Sequence, residues 1–433
     1  MQRYLMDDLK TWKNKSNRKP LILNGARQVG KTWLLKEFGK REFENVAYVS
    51  LDSNAAASAL FDNGFDLDRV LMGLSLASNQ DIEPGKTLIV LDEIQANPRA
   101  ITALKYFCEE ASEYAVAAAG SLLGISASEG TGYPVGKVDT LDLYPLTFRE
   151  FLDATGNSSL RMLLDTGDTD MMRAFAEKET LALKAYYVVG GMPAVVNEYV
   201  ASGEFQQVRA AQGQILEDYT RDFVKHMPVR LYSKAIEAWE SIPAHLSHEN
   251  KKFVFGRVRD GARGKDYEDV LVWLSQAGLI HKVPRVKKPA VPLSAYDDHK
   301  AFKVFMLDVG LLGSMSGLDP AAIVRGNDVF TEFKGALTEQ YVCQQLISDC
   351  GLVPYYWSAE SSGGEIDFLV QQSMRTFAIE VKAEENLRAK SLRSFKSGNP
   401  QVNAVRFSLS PYREQDWMRN VPLYAMSNRA LWA

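Results

Sequence analysis

Gly25-Ala26-Arg27-Gln28-Val29-Gly30-Lys31-Thr32 decides the reading of this chain. It fits G-x-x-x-x-G-K-[S/T], the pattern of a phosphate-binding loop. The apolar run Pro20-Leu21-Ile22-Leu23-Asn24 precedes it, as a buried strand would, and Trp33-Leu34-Leu35-Lys36-Glu37-Phe38 follows with helical spacing. Gly25 and Gly30 can take backbone angles that a Cβ would forbid. Across Gly25, Ala26, Arg27, Gln28, Val29 and Gly30, backbone N–H groups turn inward to cradle phosphate oxygens, helped by the positive end of the helix that follows. The Lys31 ammonium is placed to reach the terminal phosphates and the Thr32 hydroxyl to ligate Mg²⁺.

The second signature is Thr87-Leu88-Ile89-Val90-Leu91-Asp92-Glu93. A buried parallel strand delivers its C-terminal end to the phosphate site. Asp92 is expected to hold Mg²⁺ through water, and Glu93 to orient and deprotonate the attacking water. Ala115-Val116-Ala117-Ala118-Ala119-Gly120-Ser121 reads as a further strand. Ser121 at its end reads equally as a polar sensor of the nucleotide or as a small turn residue. Val138 to Leu143 reads as the last strand of this unit, and Leu60 to Leu76 as a helix.

With 433 residues, 46% hydrophobic and 24% charged, the chain has the composition of a soluble protein of two to four domains. The net charge of −4 argues against a uniformly basic coat but leaves room for one basic face. Cys108, Cys343 and Cys350 lack metal-type spacing and suit a reducing, cytoplasmic setting. No apolar run is long enough to span a bilayer.

Four stretches occur in order: the Gly25–Thr32 loop, Leu91-Asp92-Glu93-Ile94-Gln95, Gly120-Ser121, and Leu143-Tyr144-Pro145-Leu146-Thr147-Phe148-Arg149-Glu150-Phe151. Together they resemble a large prokaryotic family of AAA-type ATPases. The C-terminal portion of that family is classed as a domain of unknown function related to restriction-type nucleases. Arg3, Trp12 and Arg18-Lys19-Pro20 fit the same resemblance, and it continues through Gly190-Gly191-Met192-Pro193. It implies ATP rather than GTP and a sheet with an additional strand. Many relatives carry arginine where this chain has Lys137. An oligomer would need an arginine acting in trans. Arg149 and Arg221 are the candidates, and an ordinary ion pair is the better reading of each.

The expected fold class is α/β. An AAA-type ATP-binding domain with a P-loop NTPase parallel sheet spans residues 1–155 and a helical linker region 156–235. A winged-helix-like module spans 236–330 and an α/β restriction-endonuclease-like domain 331–433. In the third segment, Asp266 to Ile280 reads as a helix that closes in Ala-Gly-Leu-Ile. Basic residues flank it at 251–265 and 281–288. These suit DNA phosphates, or equally a solvated or docking face, and Asp266, Glu268 and Asp269 weigh against DNA. His245 and His248, three apart, lack the partners of a metal site.

In the last segment, Glu365-Ile366-Asp367-Phe368-Leu369-Val370 and Thr376-Phe377-Ala378-Ile379-Glu380-Val381-Lys382-Ala383 read as a hairpin. Glu380 and Lys382 share a face. With Asp367 on the partner strand and Glu339 on the preceding helix, they match a loose D…[D/E]-x-K pattern. Glu339, Asp367 and Glu380 can hold Mg²⁺, and Lys382 can position a water for phosphodiester cleavage. The other reading of Glu380 and Lys382 is a strand-end ion pair. Two functions follow: an ATPase with a DNA-linked role and a metal-dependent nuclease domain, or a nucleotide-controlled switch whose C-terminal domain binds protein or nucleic acid without cleaving.

Overall fold

Strands β1 (Leu21–Asn24), β2 (Asn45–Ser50), β3 (Thr87–Asp92), β4 (Ala115–Ala119) and β5 (Asp139–Asp142) form a parallel sheet in the order β2-β3-β4-β1-β5. The computed structural model describes residues 1–62, 64–120, 134–248, 250–325, 331–359, 364–383 and 389–433. β3 and β4 are buried along their whole length, so they read as continuous apolar runs. β5, on the edge, alternates. β4 lies between β1 and β3, which is the additional strand that the resemblance implied. The C-terminal ends of β1 and β3 are where the phosphate loop and Asp92-Glu93 begin.

The expected helix from Leu60 to Leu76 is interrupted. It runs Leu67–Ser78, because Asp66 accepts the Arg69 amide and caps a new N-terminus there.

The chain divides into two units. One holds Gln2–Tyr144 with Gln276–Leu279, and the other Pro145–Ser275 with Ile280–Ala433. The second unit carries a mixed eight-stranded sheet. Its strands are β6 (Ile280–Val286), β7 (Asp297–Met306), β8 (Tyr355–Ser358), β9 (Glu365–Gln372), β10 (Arg375–Val381), β11 (Asn403–Ser408), β12 (Arg413–Glu414) and β13 (Met418–Pro422). Their order is β12-β13-β11-β10-β9-β8-β6-β7. The β9–β10 hairpin has the antiparallel register expected of it. The helix Gly264–Gln276 and the β6–β7 hairpin follow in the expected order, and β6 joins the rest of the sheet through one parallel pair, Arg285 with Tyr356.

Buried glutamines of the helix Thr331–Ser348 tie this unit together. Gln340 brackets Met306 through both its N–H and its C=O. Gln344 accepts the Val309 amide, and Gln345 accepts the Phe148 amide. Both also donate to the Tyr186 hydroxyl, which itself donates to the Leu146 carbonyl. The Gly-Gly turn belongs to this network. The Gly191 amide donates to Asp308 at 2.6 Å, and the Gly191 carbonyl accepts the Leu146 amide at 2.7 Å. Thr147 and Glu150 then form a reciprocal cap that starts the helix Phe148–Ala154.

Glu179 is among the buried groups that lack such a partner. It is fully buried and neither carboxyl oxygen is hydrogen-bonded. Burial raises its pKa to about 8. The native state therefore holds a proton between about pH 4.5 and 8 that the unfolded chain releases. Stability must fall as pH rises through that window and level off above it. Urea midpoints measured from pH 5 to 9 should fall in the wild type over this range, whereas Glu179→Gln should remove that component.

Candidate functional site

The phosphate loop turns on Gly25, whose φ is +146°. A Cβ there would lie 2.3 Å from the Leu143 carbonyl oxygen, so no other residue fits. Lys31 opens helix α2 (Lys31–Glu42) and is buried. Its ammonium donates to the Gly25 and Ala26 carbonyls, both at 2.8 Å. Burial lowers its pKa to about 8, against the opposing charges of Glu93 and Asp92.

Thr32 and Asp92 are sixty residues apart, and the Thr32 hydroxyl donates to Asp92 Oδ2 at 2.7 Å. The Tyr48 hydroxyl donates to the same oxygen at 2.9 Å, and the Glu93 amide to Asp92 Oδ1 at 3.1 Å. Tyr48 is held neutral by burial and by the Asp92 charge. The sequence carried no signal for Tyr48 beyond its place on an apolar strand. Glu93 sits just past β3 in the left-handed region, with φ 49°, and its carboxylate accepts a hydrogen bond from Gln95. That conformation is costly for a side-chain-bearing residue and turns the carboxylate out of the strand direction. Thr32 and Asp92 supply only oxygen donors, which suits Mg²⁺, an ion that takes few protein ligands beside water and phosphate. Ser121 lies outside the described residues.

The other candidate arginines are engaged as ordinary ion pairs. Arg149 pairs with Asp165 at 2.5 Å and Asp349 at 3.4 Å, and Arg221 with Glu217 and Asp218 at the surface. Lys137 pairs with Glu109 at 2.8 Å. Both His245 ring nitrogens face backbone carbonyls, of Ser241 and Val254.

The C-terminal candidates Glu339, Asp367 and Glu380 belong to the second unit. Two lysines occupy the carboxylate cluster, and the sequence reading gave neither this place. Lys251 donates to Glu339 Oε1 at 2.6 Å. Lys303, fully buried on β7, pairs with Glu365 and lies 3.8 Å from Glu339 Oε2. Burial works against the Lys303 charge, but Glu339, Glu365 and Asp367 overcome it and hold the ammonium protonated. Asp367 accepts the Val381 amide at 2.7 Å, and burial with the Glu339 charge pushes its pKa up to about 7. Glu380 pairs with Lys382 at 3.4 Å, the strand-end ion pair of the second reading. Among the described residues no group of three His, Cys, Asp or Glu is disposed to hold a metal ion. Glu339 Oε2 and Glu380 Oε2 are buried without a hydrogen-bond partner, while Lys251 and Lys303 lie against Glu339. One sequence signal pointed to Lys303: a single cation inside the apolar run Ala301-Phe302-Lys303-Val304-Phe305-Met306.

Of the basic segments, Lys251 is committed to Glu339, Arg285 to Asp298, and Lys282 lies over the Phe302 ring. Arg257, Arg263, Lys265, Lys287 and Lys288 are exposed.

Residues 17–152 match a family model described as an AAA domain. Residues 180–322 and 334–426 match two models, each described as a domain of unknown function, DUF8612 and DUF4143. The relation of the last segment to nucleases finds no support in these matches. No protein of curated function matches the chain. Among solved structures, the Walker-type ATPase of Pyrococcus abyssi is 13% identical and aligns over 72% of this chain and 94% of its own, with a TM-score of 0.47. The ORC2 protein of Aeropyrum pernix is 13% identical over 79% and 95%, with a TM-score of 0.38. Scores and identities this low establish neither fold nor role. No helix among the described residues is long and apolar enough to cross a membrane. With the family match and the loop geometry together, residues 17–152 carry the features of a P-loop AAA domain.

Proposed function

We propose that this protein binds and hydrolyses ATP and works as a nucleotide-controlled switch, with a C-terminal domain that binds without cleaving. The observation that carries the first half is the convergence of Lys31, Thr32, Asp92 and Glu93 at the C-terminal ends of β1 and β3. Lys31 meets the terminal phosphates. Thr32 and Asp92 would hold Mg²⁺, which when bound neutralises phosphate charge. Glu93 takes the proton of the attacking water. The lysines lodged beside Glu339 and Glu365 favour the second half, since tethered ammonium groups compete there with a metal ion. The exposed cations at 257–265 and at Lys287 and Lys288 are the surface on which DNA phosphates would be held.

Purified protein incubated with linear and supercoiled DNA, with Mg²⁺ or Mn²⁺, with and without ATP, tests this reading. ATP turnover with no cleavage is expected, and any DNA retention should weaken as salt rises. Cleavage that disappears in Glu380→Ala would overturn the non-cleaving assignment and restore the nuclease.

A further inference from the structure

The phosphate loop is held from behind by a residue that the loop motif does not contain. Arg3 stands just before helix α1 (Leu5–Lys13) and is buried. Its Nη1 donates to the Val29 carbonyl at 2.9 Å and its Nη2 to the Tyr144 carbonyl at 2.5 Å. One guanidinium thus bridges the second half of the loop and the chain leaving β5. The first half rests on the same segment, because Gly25 packs on the Leu143 carbonyl.

The chemistry follows from the peptide plane. In a trans peptide the C=O and the next N–H point in opposite directions. Fixing the Val29 carbonyl outward on Arg3 therefore turns the Gly30 N–H inward, toward the space a phosphate fills. A rigid fork that donates to two carbonyls at once is a property of arginine that lysine lacks.

We propose that Arg3 is a positioning residue for phosphate recognition, one that sets the Val29–Gly30 peptide through its two carbonyl bonds. The proposal rests on the reading of this loop as a nucleotide site. Its specific consequence concerns phosphates rather than the base. Loss of Arg3 releases an N–H that serves the inner phosphates. ADP presents two phosphates to that cradle and AMP one, so affinity for ADP should fall more than affinity for AMP.

The test is calorimetric titration of full-length wild type, Arg3→Met and Arg3→Lys with ADP and with AMP at low temperature. The melting temperature of each nucleotide-free protein is recorded in parallel. In Arg3→Met, ADP affinity should fall roughly tenfold or more, the scale of a lost charge-assisted hydrogen bond, and the ADP-over-AMP preference should shrink with it. Arg3→Lys, able to keep one carbonyl bond, should fall between. An unchanged ADP-over-AMP preference in a folded Arg3→Lys or Arg3→Met protein overturns the proposal, even if the melting temperature drops, because Arg3 would then only stabilise the fold. If wild type itself binds no ADP, the nucleotide reading fails instead.

Discussion

Lys31→Ala is expected to lose ATP turnover by at least about 10²–10³-fold, the cost of removing one positioned donor to developing charge. The cause is visible in the loop. The ammonium is the buried cation of the site, and its nearest partners are the loop's own carbonyls at 2.8 Å. A nucleotide phosphate offers it a full negative charge in place of two dipoles. Burial lowers its pKa to about 8 despite the charges of Glu93 and Asp92, so the ammonium gains from the arrival of an anion. Since the protonated form is the one that binds phosphate, nucleotide affinity should weaken as pH rises above about 8 in wild type and stay flat in the alanine variant. Glu93→Gln separates chemistry from binding. It keeps the loop, Lys31 and the Thr32–Asp92 pair, so nucleotide binding should remain near wild type while kcat falls steeply. Phosphate-release kinetics beside equilibrium nucleotide titration would check both. Turnover that survives in Lys31→Ala would place the activity elsewhere.

The loop was legible because it is contiguous, with its strand and helix on either side. Asp92-Glu93 was legible because a fully buried strand reads as an apolar run, and its end must point at the loop if the sheet is parallel. What the sequence could not carry is partnership across distance. Lys303 was visible as a cation in an apolar strand, but nothing in the sequence said that it would meet Glu365 and Glu339. The D…[D/E]-x-K spacing placed Asp367 and Glu380 on neighbouring strands, β9 and β10, and they are there. Spacing alone says nothing about which cation neutralises them. Glu179 shares the helix Ala176–Val189 with Glu177, Lys178 and Lys184, and only tertiary burial distinguishes it. Arg3 was legible only as part of a resemblance. Its hydrogen bonds to Val29 and Tyr144 supply a physical reason for its presence.

Gly191→Ala should destabilise the Pro145–Ser275 and Ile280–Ala433 unit by more than about 4 kcal/mol, well beyond an ordinary single substitution. Gly190-Gly191 reads in the sequence as a turn, but at Gly191 the reason is close approach. A Cβ there would lie 2.1 Å from the Leu146 oxygen and 2.7 Å from its nitrogen. Both are backbone atoms, so no side-chain rotation relieves the contact. Leu146 cannot yield either, because its amide is bonded to the Gly191 carbonyl and its carbonyl accepts the Tyr186 hydroxyl. Moving it would break bonds that Gln344 and Gln345 make to that hydroxyl, and the buried groups left behind would lack partners. The same substitution at Gly213 is the internal control. It lies in the helix Phe205–His226, and a Cβ there meets nothing within 4 Å. Gly213→Ala should therefore stabilise by about 0.5–1 kcal/mol through helix propensity and reduced unfolded-state entropy. Urea unfolding of the two variants beside wild type should move the midpoint in opposite directions. Equal small shifts in both would mean that the Gly191–Leu146 clasp is loose, and that the glutamine network does not hold the loop at Leu146 to the Gly-Gly turn.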